Sequence, residues 1–329
     1  MQDKCSVSVR GYDASVDPGR IAELINSSRA SSGEDRPPTT AEHVRSFIAE
    51  AWAGFDTRTD IRLFTCDDRL VGYERTKRET WASGARAYHA LLFFHADWRN
   101  REILTEAIEH LRRYQLEYAT AHDCEAEPFV VVMPQPADPP MLDALQAVGF
   151  EPRRVFLSME RTLAGPVARC GLPEELMLRP LCEADYRSIY DFDRRIMRDG
   201  WGVEAPSEEH FHWWAAEAFR NPELWRVAWD GDRIVGTAAG VVGGTWNPSL
   251  GGERAEIRFV RVDPVWRRRG VARALIHHCL AELRERGVRI VELGVDGENE
   301  ATAGALYRGL GFGVTARRVA YRYDLDPLS

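Results

Sequence analysis

The chain has 329 residues, 44% of them hydrophobic, enough for two domains that each bury a core. Its formal net charge of −8 leaves no basic excess to neutralise a phosphate backbone, which excludes a general nucleic-acid binder and is compatible with cationic amine substrates. The first ten residues lack the apolar core of a signal peptide and no apolar run approaches membrane-spanning length, so a cytoplasmic protein without membrane contact is expected. The six cysteines form no C-x-x-C pair and are expected to be reduced thiols.

In chain order, Thr40 to Trp52 returns as Ser207 to Phe219, and the turn Asp68 to Gly72 returns as Asp232 to Gly236. Phe94 to Leu104 lines up with Val262 to Ala272. Val148-Gly149-Phe150 pairs with Leu310-Gly311-Phe312, each followed by two arginines and a last strand. Constant order and nearly constant offset mark two copies of one fold. Residues 1–162 form the first copy and 177–329 the second; Gly165, Pro166, Gly171 and Pro173 break the pattern in a linker over 163–176.

The second copy reads as a strand from Met177 to Pro180, then two helices across Asp185 to Phe219. Ser207 is a candidate N-cap, with Glu208 and Glu209 in the first turn. Trp225–Trp229 and Ile234–Val242 form a hairpin around Asp230-Gly231, and Glu256–Val262 is the next strand. The following helix places Val271, Leu275, Cys279 and Leu283 on one face and stops at Gly287. Ile290–Val295 is a strand, Ala301–Leu310 a short helix and Val319–Leu325 a last strand.

The segment Val262-Asp-Pro-Val-Trp-Arg-Arg-Arg-Gly-Val-Ala272 joins a strand end to a helix start through three arginines. Backbone N–H groups at a helix N-terminus attract anions, Gly270 lets the backbone approach, and Arg267, Arg268 and Arg269 suit a diphosphate. It is neither a Walker loop nor a G-x-G-x-x-G turn. The spacing R-x-x-G-x-A after V-x-P resembles the pyrophosphate-binding segment of the GCN5-related N-acetyltransferase (GNAT) family. The element order in each half resembles the family's fold too. The expected class is therefore α/β: two tandem GNAT domains, each a mixed, mostly antiparallel sheet flanked by helices.

The resemblance implies acetyl-CoA as co-substrate, a small-molecule primary amine as acceptor, direct transfer in a ternary complex, and no metal. It implies donor contacts at Val260, Arg261, Val262, Arg267, Arg268, Arg269, Gly270, Val271, Ala272 and Arg273. The Val260 N–H is the expected oxyanion donor. Asn299 is expected either to contact the CoA chain or to cap a turn. Glu256, fourteen residues before Gly270, is the candidate base. Strict alternation places Glu256, Arg258, Val260 and Val262 on one face; alternatively Glu256 forms an ion pair with Arg254 or Arg258. Tyr307, in Leu306-Tyr307-x-x-x-Gly311-Phe312, is the candidate acid, or else a packed helix residue. Trp201, Phe211, Trp213 and Trp214 either wall the acceptor pocket or pack helices. Asp191, Asp193 and Asp199 either attract an amine or form surface pairs.

The first copy has Glu102 at the position of Gly270, Leu104 at that of Ala272 and Leu145 at that of Tyr307. A carboxylate there repels a diphosphate, so the first copy is expected to be non-catalytic. The alternatives are a longer acyl donor and a non-enzymatic CoA-binding regulator. A monomer is expected, with a homodimer as the alternative.

Overall fold

A computed structural model describes residues 7–31, 37–52, 54–122, 128–135, 138–167, 170–179, 181–243 and 252–325. Cys5, Cys124, Pro180 and part of the 163–176 segment lie outside them. The first half runs β1 (Ser8–Arg10), α1 (Asp17–Ser31), α2 (Ala41–Ala49), α3 (Thr57–Asp60), β2 (Ile61–Cys66), β3 (Arg69–Thr80), β4 (Arg86–Phe94), α4 (Arg101–Ala121), β5 (Pro128–Val132), α5 (Pro139–Ala147) and β6 (Glu151–Thr162). The second runs β7 (Met177–Leu178), α6 (Tyr186–Met197), α7 (Glu208–Ala218), β8 (Trp225–Asp230), β9 (Arg233–Val241), β10 (Arg254–Val262), α8 (Val271–Glu285), β11 (Ile290–Asp296), α9 (Ala305–Arg308) and β12 (Gly313–Asp324).

Two compact units result, one of residues 1–155 with 318–329, the other of residues 156–317. The chain thus divides inside β6 and inside β12, and not at the expected 163–176 linker. Leu163 donates its N–H to Arg289 O at 2.7 Å, and Leu163 and Leu176 are buried in the second unit's core. The cause is an exchange of terminal strands. Phe156–Thr162 of β6 pairs antiparallel with β11, whereas Tyr321–Asp324 of β12 pairs with β5.

Within each unit the sheet is antiparallel except for one parallel pair, β4 with β5 and β10 with β11. In the second unit α8 covers one face, where Val271, Leu275, Cys279 and Leu283 are all buried, as their helical spacing predicts. A Cβ on Gly236 would lie 2.9 Å from Val271 Cγ1, so glycine there lets α8 sit close on β9. Helices α6 and α7 cover the opposite face around Tyr190, Trp214, Trp225 and Ala239. Ser207 caps α7 as expected, accepting from the His210 N–H at 3.0 Å.

Three details differ from expectation. The Ala301–Leu310 helix is a π-helical turn over Glu300–Gly304 followed by the short α9. The last strand begins at Gly313, six residues before Val319. Cys66 is disulfide-bonded rather than reduced; Cys170, Cys182 and Cys279 are free thiols. No helix among the described residues is long and apolar enough to cross a membrane.

Candidate active site

The site is organised by an irregularity in β10. Arg258 pairs with Ala239 and Arg261 with Thr237, so three steps on β10 oppose two on β9. Phe259 carries φ of +53°, a left-handed conformation costly for a non-glycine residue. It is held there by the Thr237 hydroxyl donating to Phe259 O at 2.7 Å and by ring stacking on Trp225 at 5.0 Å. The bulge corrects the expected alternation. Arg261, not Val260 or Val262, joins Glu256 and Arg258 on the face beneath α6 and α7, while Val262 falls on the Ile257 face beneath α8. Phe259 and Val260 have no partner in the β9 ladder.

On its other side β10 pairs with β11 only over Arg254–Glu256. Both strands continue beyond that point, so they part. Tyr307 is buried there, 8% exposed, in the core that also holds the half-buried Val260, Val262 and Leu306. Burial pushes its phenol above the ordinary value of 10, and the Arg261 guanidinium partly offsets this.

The cationic turn lies at the end of β10. Arg268 has φ of +63° and Gly270 of +85°, after which α8 begins with no capping side chain and no acid in its first turn. Helices α2, α4, α5 and α7 are all capped, by Thr40, Asn100, Asp138 and Ser207. The first N–H groups of α8 are thus left for an external acceptor. A Cβ on Gly270 would meet nothing within 4 Å, so the space before the helix end is open. Arg267, Arg268, Arg269 and Arg273 are exposed, and Ala272 is half-buried. Arg267 is steadied by Val262 O at 3.1 Å, Arg269 lies 4.8 Å from the Trp266 ring centre, and Arg273 reaches Gly309 O at 3.4 Å. Asn299 is exposed at the start of the π-helical turn and makes no side-chain cap bond.

Sequence reasoning missed the support that Asp263 gives this turn. Asp263, 2% exposed, accepts the Val265 N–H at 3.1 Å and pairs with Arg195 at 3.1 Å and Arg233 at 2.8 Å. The only signal was an Asp before proline at a strand end. Asp193 is buried, 2.8 Å from Arg261 and 2.6 Å from Arg194, whereas Asp191 and Asp199 form surface pairs with Arg187 and Arg198. Glu256 pairs with Arg258 at 2.8 Å, and Arg254 pairs instead with Glu292. Trp214 is a core residue, and Trp201 packs on Phe156 with ring centres 5.5 Å apart.

The first unit is built differently at the equivalent helix start. Its α4 starts at Arg101, two positions earlier than α8 on the repeat, and the Asn100 side chain accepts the Ile103 N–H at 3.0 Å. Glu102 thereby lies in the first helical turn. Arg99 forms a buried ion pair with Asp138 and bonds Ser31 Oγ at 2.7 Å. Between Leu92, Phe94, Val132 and Met141 a cavity of ≈ 10 Å³ remains, about the least that holds one water. Leu145 is fully buried where the second unit has Tyr307.

Comparison with known proteins bears on the family and the fold. The acetyltransferase (GNAT) family profile matches residues 186–312. A mycothiol acetyltransferase of Geodermatophilus obscurus is 34% identical over 195 residues, 56% of this chain and 60% of that protein, so the match spans less than two thirds of the relative. The [ribosomal protein bS18]-alanine N-acetyltransferase of Escherichia coli is 43% identical over 70 residues, covering 21% of this chain and 47% of that one. A GCN5-related N-acetyltransferase from Sphaerobacter thermophilus superposes with a TM-score of 0.77 at 25% identity, covering 98% and 96% of the two chains. A tandem GNAT protein from the clavulanic acid biosynthesis pathway shares the fold, with a TM-score of 0.69 at 16% identity over 98% and 99%. Residues 186–312 thus match the acetyltransferase (GNAT) family, and the chain as a whole shares the fold of tandem GNAT proteins.

Proposed function

We propose that the second unit moves an acetyl group from acetyl-CoA directly to the primary amine of a small molecule within a ternary complex. One observation carries this reading: the uncapped, arginine-flanked start of α8 stands at the end of β10, the strand that has parted from β11. The N–H groups of Val271, Ala272 and Arg273, with Arg267, Arg268 and Arg269, would take the pyrophosphate. The backbone of Val260 and Val262, on the edge freed by the parting strands, would pair with the pantetheine amides. Asn299 is assigned to the CoA chain.

In the reaction the amine nitrogen attacks the thioester carbonyl, the C–N bond forms and the C–S bond breaks. Glu256 takes the proton lost by the amine, directly or through one water. The Val260 N–H, outside the strand ladder, would donate to the oxyanion. Tyr307 gives its phenolic proton to the departing thiolate; burial raises its pKa above the ordinary 10, which keeps that proton in place at neutral pH. The products are the acetamide and CoA. Binding CoA alone would need neither Glu256 nor Tyr307, which argues against a regulator.

The first unit serves as a structural partner. Its early, Asn100-capped helix start, Glu102 and the Arg99–Asp138 pair stand in place of the groups that would take an anion. The mycothiol acetyltransferases among the relatives favour a mycothiol synthase-type acceptor. Monitoring thiol release from acetyl-CoA and longer acyl-CoAs against an amine panel that includes the mycothiol precursor tests both donor and acceptor. An absence of heat when CoA is titrated into the protein would overturn the donor assignment. Glu256→Gln should flatten the acidic limb of the rate–pH profile; an unaltered profile rejects the base.

A further inference from the structure

The Arg258 guanidinium faces two carboxylates and forms a close ion pair with one. Its Nη2 lies 2.8 Å from Glu256 Oε2, and its Nη1 lies 3.8 Å from Glu217 Oε1 on α7. Glu217 Oε2 already binds Arg220 at 3.1 Å, but Oε1 is buried and accepts no hydrogen bond. An unfilled acceptor, shielded from water, therefore stands about 1 Å beyond the reach of a charge-assisted bond.

We infer that Arg258 is a positioning residue of the transfer proposed above: it holds Glu256 in the resting site and passes to Glu217 when the amine arrives. The inference rests on Glu256 as base. A guanidinium on Oε2 competes with a proton for the charge of the Glu256 carboxylate, so its departure frees the base. Moving the guanidinium exchanges one ion pair for another and fills an oxygen that is costly to leave empty. The planar fork of arginine can serve both carboxylates with little movement. Both ends are anchored. Arg258 is the last β10 residue in register before the bulge, and α7 is fixed by its Ser207 cap and by Trp214. Neighbouring cations are committed elsewhere, Arg254 to Glu292 and Arg261 to Asp193.

Two measurements decide it. In a crystal structure of Glu256→Gln the Arg258 guanidinium should lie within hydrogen-bond distance of Glu217 Oε1; a guanidinium still at the substituted amide, with Glu217 Oε1 empty, overturns the inference. In steady-state kinetics Glu217→Gln should raise the acceptor KM about tenfold and leave the CoA Kd unchanged, and this effect should vanish in an Arg258→Gln background. Additive effects of the two substitutions would show Glu217 to be merely structural. A wild-type protein that transfers to no amine defeats the proposed activity, yet the crystallographic measurement still decides where Arg258 moves.

Discussion

Replacing Asp263 tests whether the turn proposed to bind an anion is held from below by a single buried carboxylate. The Val265 N–H bond acts as a side-chain cap, and losing such a cap costs about 1 kcal/mol. Arg195 and Arg233 are 51% and 61% exposed, so each pair adds at most about 0.5 kcal/mol. Asp263→Ala should therefore destabilise the second unit by about 2 kcal/mol, or roughly 4–8 °C in Tm. Asp263→Asn keeps an acceptor for Val265 and should lose about half of that. Burial pushes the carboxyl upward, but the Val265 N–H and the two guanidiniums outweigh it and hold it below the ordinary 3.8. A group depressed on folding contributes fully above its unfolded value and loses that contribution as pH falls through its folded value. Urea unfolding should thus show a constant gap between wild type and Asp263→Ala from pH 8 to pH 5, closing only below about pH 3.8. CoA affinity, followed by calorimetry, should fall in parallel. An alanine variant as stable as wild type at pH 7, or a gap that widens in acid, would refute the reasoning.

Tyr307→Phe should lower kcat by about 100-fold with little change in the KM for acetyl-CoA; full turnover would remove its role as acid. Because burial holds the phenol above 10, no alkaline limb from Tyr307 should appear between pH 7 and pH 9. In the first unit Glu74 is 1% exposed, with Oε2 accepting no hydrogen bond, and burial raises its carboxyl above 4.5 despite Thr76, Arg62, Arg78 and Gln115. A folded value above the unfolded one means that stability is greatest below 4.5 and declines as pH rises through the folded value. Glu74→Gln should therefore stabilise at pH 7 by about 1–2 kcal/mol, and the gain should disappear by about pH 4 in urea titrations.

The order of elements, the α8 stripe and the cationic turn were legible because each depends on local chemistry: apolar spacing, a strand-ending proline, a glycine before a helix. The bulge was not. In Arg-Ala-Glu-Ile-Arg-Phe-Val-Arg-Val, residues 254–262, its one trace is the apolar pair Phe259-Val260 that interrupts the alternation; a doublet alone does not announce a bulge, and the φ of +53° at Phe259 is imposed by Thr237 and Trp225 from other strands. The strand exchange was hidden for a related reason. Both copies end in the same signal, a Gly-Phe, two arginines and an extended run, so nothing local says which sheet each run completes. Ion-pair partners such as Asp193 with Arg261 are far apart in the chain and belong to tertiary structure.

The divergence of the two copies follows from the same physics that underlies the proposed anion site. A helix N-terminus exposes unsatisfied N–H groups that must find an acceptor. In the second unit Gly270 ends the turn in a left-handed conformation that supplies no side chain, so the acceptor must come from outside. In the first, Asn100 supplies it from within, and α4 gains two residues that carry Glu102 into its first turn, where the helix dipole favours that carboxylate. Once the helix is satisfied internally, Arg99 has no external anion to meet and is neutralised by Asp138. The requirement for neutralised charge and saturated N–H groups is the same in both units. One meets it permanently with its own side chains, at the cost of a donor site. The other leaves it open, and that open end is what a diphosphate can occupy.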